Sequence, residues 1–75
     1  MEGMKMNDSY IVGNAEKTEF VGIDEASGGY PFMSSYLGGA EIFRDIDRAI
    51  LFAKDKYLRE RGNILFVYKI ELTNV

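Results

Sequence analysis

A chain of 75 residues with 47% hydrophobic content is long enough for one small folded domain and too apolar for wholesale disorder. It contains no cysteine and no histidine, which excludes disulfides, Cys/His metal sites and the commonest general bases. The net charge of −3 divides unevenly: residues 1–43 carry seven acids against Lys5 and Lys17, a balance of −5, whereas residues 44–75 carry seven bases against five acids, a balance of +2.

Met1 to Asp8 is polar and is expected to fray, leaving residues 9–75 as a single domain. Ser9 to Val12 is a β-branched and aromatic run that predicts a first strand, and Gly13 to Lys17 has turn composition. Thr18 to Ile23 predicts a second strand, antiparallel to the first because the connection is short, with Gly22 marking a bulge or a close backbone approach.

The segment Asp24 to Phe43, DEASGGYPFMSSYLGGAEIF, follows. Gly28 and Gly29 permit positive φ, Tyr30-Pro31 favours extended backbone, and Pro31 to Met33 adds a short strand piece. Ser35 to Gly39 predicts a turn, and Ala40 to Phe43 an extended stretch leading into a helix. Asp45 is the expected N-cap of a helix over Ile46–Arg61, stopped by Gly62. Ile46, Ala49, Ile50, Ala53 and Tyr57 form its predicted core stripe. Ile64 to Leu72 is the clearest strand, predicted to be central and to turn Ile64, Phe66, Tyr68, Ile70 and Leu72 toward the helix. The order β-β-(β)-α-β gives an α+β fold: a small antiparallel sheet of three or four strands packed on one face by a single amphipathic helix.

Four groups of residues carry the functional reading. Asp24, Glu25 and Ser27 are the one tempting catalytic set, but neighbouring strand residues point to opposite faces, so a solvated acidic loop is favoured. Ser27-Gly28-Gly29 could form a phosphate nest, yet no base lies nearby and no phosphate-loop motif is present, so a plain turn is favoured. Tyr30, Phe32 and Tyr36 are flanked by Asp24, Glu25 and Glu41, which suits protein contacts better than nucleic-acid bases; packing of Phe32 and Tyr36 under the loop is the alternative. Leu51 and Leu58 lie off the core stripe, with Phe52 on the other flank near Arg48, Lys56 and Arg59. They either broaden the core or form a partner or dimer surface.

The run Gly22-Ile23-Asp24-Glu25-Ala26-Ser27-Gly28-Gly29-Tyr30-Pro31-Phe32, followed by Leu37, Ala40, Phe43 and Ala49, resembles small accessory proteins of phages and other mobile elements that carry a D-x-x-S-G-G-Y-P loop. The likeness covers roughly residues 18–58 and departs from the pattern at Met33 and Gly38-Gly39. It implies a short cytoplasmic protein of a bacterial host, sometimes an inhibitor of a host or defence protein, and it transfers no catalytic residue.

The expected function is therefore non-enzymatic and cofactor-free: binding of a bacterial protein and occlusion of a basic surface. Tyr30, Phe32, Tyr36 and Phe52 are the expected anchors, Asp24 and Glu25 the steering charges, and Leu51 and Leu58 further contacts. A nucleic-acid or nucleotide-binding module is the first alternative, although the acidic charge makes it disfavoured; a structural homo-oligomer is the second. No apolar run is long enough to span a membrane, the start MEGMKMNDS lacks the apolar core of a secretory signal, and the absence of cysteine fits a reducing cytoplasm.

Overall fold

A computed structural model describes residues 8–71. The stretch expected to fray falls outside these residues apart from Asp8, as does Leu72. The architecture is α+β. Strands β1 (Asp8–Gly13), β2 (Phe20–Asp24) and β3 (Tyr30–Ser34) are followed by helices α1 (Ile46–Ala53) and α2 (Lys56–Glu60), then by β4 (Phe66–Glu71). The four strands form one antiparallel sheet in the order β3-β2-β1-β4. The last strand is thus an edge and not the centre, because β1 offers it one side and gives the other to the chain that follows the first hairpin.

That hairpin is only partly closed. Asn14 organises its turn, accepting at Oδ1 from the Thr18 and Glu19 amides. Beyond the turn, β1 and β2 pair at Gly13–Phe20 and then diverge. Residues 41–43 enter the gap. The Glu41 amide donates to the Val21 carbonyl at 2.9 Å, and Phe43 exchanges two 2.8 Å backbone bonds with Tyr10. The short extended piece expected before the helix is thus a wedge that fills a splayed hairpin and satisfies backbone groups on both sides.

The core lies between this sheet and the helices. Val12, Val21, Phe43, Ala49 and Leu58 are buried together, with Tyr10, Ile23, Met33, Leu65 and Val67 packed around them. Phe43 meets Phe52 with ring centroids 5.3 Å apart, a favourable tilted aromatic contact. The small Ala49 and Ala53 bring α1 close to a floor of valines, Val12 beside its cross-strand partner Val67 and next to Val21. That closeness overturns the expected face of β4. Leu65 and Val67 turn toward the helices, whereas Ile64 and Phe66 remain exposed on the opposite side.

The single long helix expected over residues 46–61 is broken into two. Asp45 caps α1 through the Asp47 amide, as expected. The chain leaves the helix at Lys54, and Asp55 caps α2 by accepting from the Leu58 amide at 3.0 Å. Asp favours caps over helix interiors because its short acceptor competes for nearby backbone donors. The break rotates α2, so Leu58 enters the core and Tyr57, expected in the core stripe, is half exposed.

Among the described residues one buried side-chain group is unsatisfied: the Ser9 hydroxyl is fully buried and has no hydrogen-bond partner. Leaving such a group unpaired costs about 1–3 kcal/mol. Ser9→Ala should therefore raise the melting temperature measured by circular dichroism. A lower melting temperature would show that the hydroxyl has a partner that matters.

Candidate functional site

The acidic loop is built around its first residue. Asp24 accepts from the Ala26 amide at Oδ1 and from the Ser27 hydroxyl at Oδ2, 3.1 and 2.8 Å away. Its carbonyl accepts from the Gly29 amide. These bonds fold Glu25–Ser27 into a 3₁₀ turn, which Gly28 and Gly29 end with φ values of 95° and 85°. Only glycine adopts such angles freely. Asp24 and Ser27, two of the three residues of the candidate catalytic set, thus brace the loop, with both Asp24 carboxylate oxygens engaged. Glu25 projects from the first turn and is exposed.

The brace delivers the chain into β3, where the aromatic residues emerge. Tyr30 is 69% exposed, Phe32 42% and Tyr36 66%. Leu37, in the 3₁₀ turn Leu37–Gly39 that follows, is also exposed. Phe32 is pinned rather than free. It faces Gly22 across the strands, where a side chain on Gly22 would strike its ring and the Gly39 carbonyl. The close backbone approach expected at Gly22 is present, and it seats both Phe32 and the turn after β3.

The sheet face away from the helices carries further apolar side chains. Ile11 and Phe20 form its buried floor, and Phe32, Ile42 and Phe66 stand exposed around them. Gly13 is the cross-strand partner of both Phe20 and Phe66. Its missing side chain makes room for the Phe20 ring, since a Cβ there would come within 2.8 Å of it.

The helix residues singled out from sequence do not share one surface. Leu51 is exposed on α1. Phe52 is half buried against Phe43, with the Arg48 guanidinium 5.6 Å from its ring. Leu58 is a core residue, and a partner cannot reach it. The spacing of seven that aligned it with Leu51 holds only for an unbroken helix.

A cleft joins the aromatic strand to the break between the helices. Tyr30, Pro31, Asp55 and Tyr57 line it, around a volume of about 370 Å³, at the small end of ligand-sized clefts. Of these, sequence reasoning singled out Tyr30 alone. The signal for Asp55 and Tyr57 was Asp55 itself, an acid at a helix-interior position three residues before an apolar one. Read as a cap, it would have placed the break and turned Tyr57 outward.

Among the described residues, no group of three acidic side chains converges to hold a metal ion, and no helix is long and apolar enough to cross a membrane. No family model matches the chain, and no curated protein or solved structure shows significant similarity to it.

Proposed function

We propose that this chain is a non-enzymatic protein-binding module that covers a basic surface on a bacterial partner. The observation that carries this reading is the exposed aromatic strip of β3 and the turn after it, Tyr30, Phe32, Tyr36 and Leu37, beside the acids of the preceding loop. Large exposed apolar side chains grouped on a small protein mark interaction sites, and aromatic residues are the usual anchors. The neighbouring acids favour encounter with a positive surface and disfavour a phosphate backbone. A bound inhibitor of this kind acts by occlusion, and the braced loop lowers the entropy lost on docking. The bacterial origin of the partner rests on the likeness of the loop to those of phage accessory proteins.

The test is affinity capture from bacterial lysate with the tagged chain, beside a Tyr30→Glu/Tyr36→Glu variant whose fold is checked by circular dichroism. Both side chains are more than three-fifths exposed, so the variant should fold. One dominant protein retained by the native chain and lost by the variant is the expected result. A clean lane, or equal capture by both, would reject the strip as the binding surface. Leu51→Glu, on an exposed position of α1, should leave capture unchanged.

A homo-oligomer is the second reading, favoured by the exposed Ile42 and Phe66 on the helix-free face and by the edge position of β4. It predicts a melting temperature that rises with protein concentration.

A further inference from the structure

We infer that the sheet face away from the helices pairs with the same face of a second copy of this chain, two sheets stacking about a twofold axis; this rests on the self-associating reading and specifies its surface. The alternation that sends Val12, Val21 and Val67 to the helices sends Ile11, Phe20, Phe66 and Tyr68 to the opposite side. Pairing with β2 places Tyr30 and Phe32 there as well. Ile42, next to the core residue Phe43, joins them from the wedge. An antiparallel sheet with one solvated face ordinarily carries polar side chains on it. Here Asp24, at the end of β2, is the only charged residue that the described strands place on that side, and Phe32, Ile42 and Phe66 are each more than two-fifths exposed.

Charge and size select the occupant. A basic or phosphate-bearing surface gains nothing from an uncharged apolar face, whereas an identical face matches it. Strands of five or six residues, about 4.8 Å apart and rising about 3.4 Å per residue, give the face roughly 300 Å² in plan. Side-chain relief brings this to roughly 500 Å² of accessible surface, so two copies together bury about 1,000 Å², the size at which a specific interface begins. Tyr30 and Phe32 belong to this face and to the partner-binding strip, so pairing and partner capture exclude one another.

Charges at opposite corners fix the orientation. Lys17, in the turn that joins β1 to β2, holds Nζ 4.9 Å from the Tyr68 ring centroid and so lies over the face. Glu19, in the same turn, precedes Phe20 and alternates to the helix side. Asp24 and Glu25 stand at the other end of the strands, on the β2–β3 side. A twofold axis across the other diagonal sets each Lys17 against the Asp24–Glu25 corner of the second copy, twice by symmetry. The strands of the two sheets then cross steeply, as in orthogonal sheet packing.

Sedimentation equilibrium of the full chain from about 1 to about 500 μM, a range in which an interface of this size should dissociate, tests the inference. The expected result is a monomer–dimer equilibrium. Ile42→Lys, at the centre of the face, should raise the dissociation constant at least about tenfold. Leu51→Lys, exposed on α1, should leave it unchanged. Circular dichroism checks the fold of each variant. Lys17→Glu and Glu25→Lys, both at exposed positions, keep the test open if Ile42→Lys does not fold. Each should weaken pairing about two- to fivefold, and the double variant should restore it. Glu25→Lys also lowers the net charge, so stronger pairing in that variant would assign the effect to overall repulsion and overturn the crossed arrangement. A dimer that tolerates Ile42→Lys overturns the face and leaves self-association through the β4 edge. A monomer throughout the range removes both the inference and the self-associating reading.

Discussion

Phe43→Ala should leave the chain largely unfolded at 25 °C, with no cooperative transition in urea. Phe43 is 2% exposed and is the side chain that anchors the wedge between β1 and β2. Truncating a buried phenylalanine costs about 3–5 kcal/mol. A single core of this size supplies only about 3–5 kcal/mol in total, so the loss is comparable to the whole margin. The ring also contacts Phe52, which ties α1 to the sheet, so one truncation loosens two interfaces. Phe43→Leu should remain folded with a lower midpoint, because leucine keeps most of the apolar volume. If Phe43→Ala melts cooperatively near the native midpoint, the backbone bonds to Tyr10 and Val21 hold the wedge without its ring.

The second large effect is expected at a glycine. In a strand interior, alanine ordinarily stabilises relative to glycine by reducing the freedom of the unfolded chain. Gly22→Ala should do the opposite. Its φ is not in the left-handed region, so the argument is purely one of space: the new methyl would overlap the Gly39 carbonyl and come within 2.6 Å of the Phe32 ring. A ring can tilt, but a backbone carbonyl held in a turn moves only with its neighbours. Overpacking of this kind costs about 1–3 kcal/mol. Urea unfolding of Gly22→Ala in the native and Phe32→Ala backgrounds separates the two contacts. A penalty that disappears in the second background would assign the effect to the ring; one that persists assigns it to the turn.

Much of the fold was legible because local chemistry and tertiary packing agree. Asp45, Gly28, Gly29 and Gly62 act as the caps and turn residues that their types predict, and β1 to β3 lie close to the expected positions. The errors arose where local pattern was ambiguous. In ILFVYKIEL both alternating sets begin apolar, so counting hydrophobic residues could not choose the helix-facing side. The choice was made elsewhere, by Ala49 and Ala53, which bring the helix too near for a floor of Phe66 and Tyr68. The length and hydrophobicity of β4 likewise suggested a central strand, but an edge strand can be apolar on both faces when one side meets the core and the other stays open. The helix break was legible in Asp55 but was outweighed by the helical spacing around it.

The candidate site was legible in part. The aromatic strip follows from Tyr30, Phe32 and Tyr36 lying on or just after an exposed edge strand, and their types and flanking acids were visible. Asp24 was assigned a steering role; its carboxylate also accepts two hydrogen bonds from neutral donors within the loop, which brace the turn without removing its charge. The cleft could not be read from spacing, since it joins residues 30–31 to residues 55–57 across a break that redirects the second helix.

The wedge has a kinetic consequence. A hairpin that closed along its full length would zip from its turn within microseconds. Here the first two strands cannot finish pairing until residues 41–43 arrive, and β1 acquires its other neighbour only from residues 66–71. Nearly all of the pairing on β1 thus waits for segments far along the chain, and the cost of closing those loops precedes the bonds that reward it. The β2–β3 hairpin and α1, which need only local contacts, are the natural early structures. The Tyr10 amide, bonded to Phe43, should be among the last to gain protection during refolding and among those released only by global unfolding.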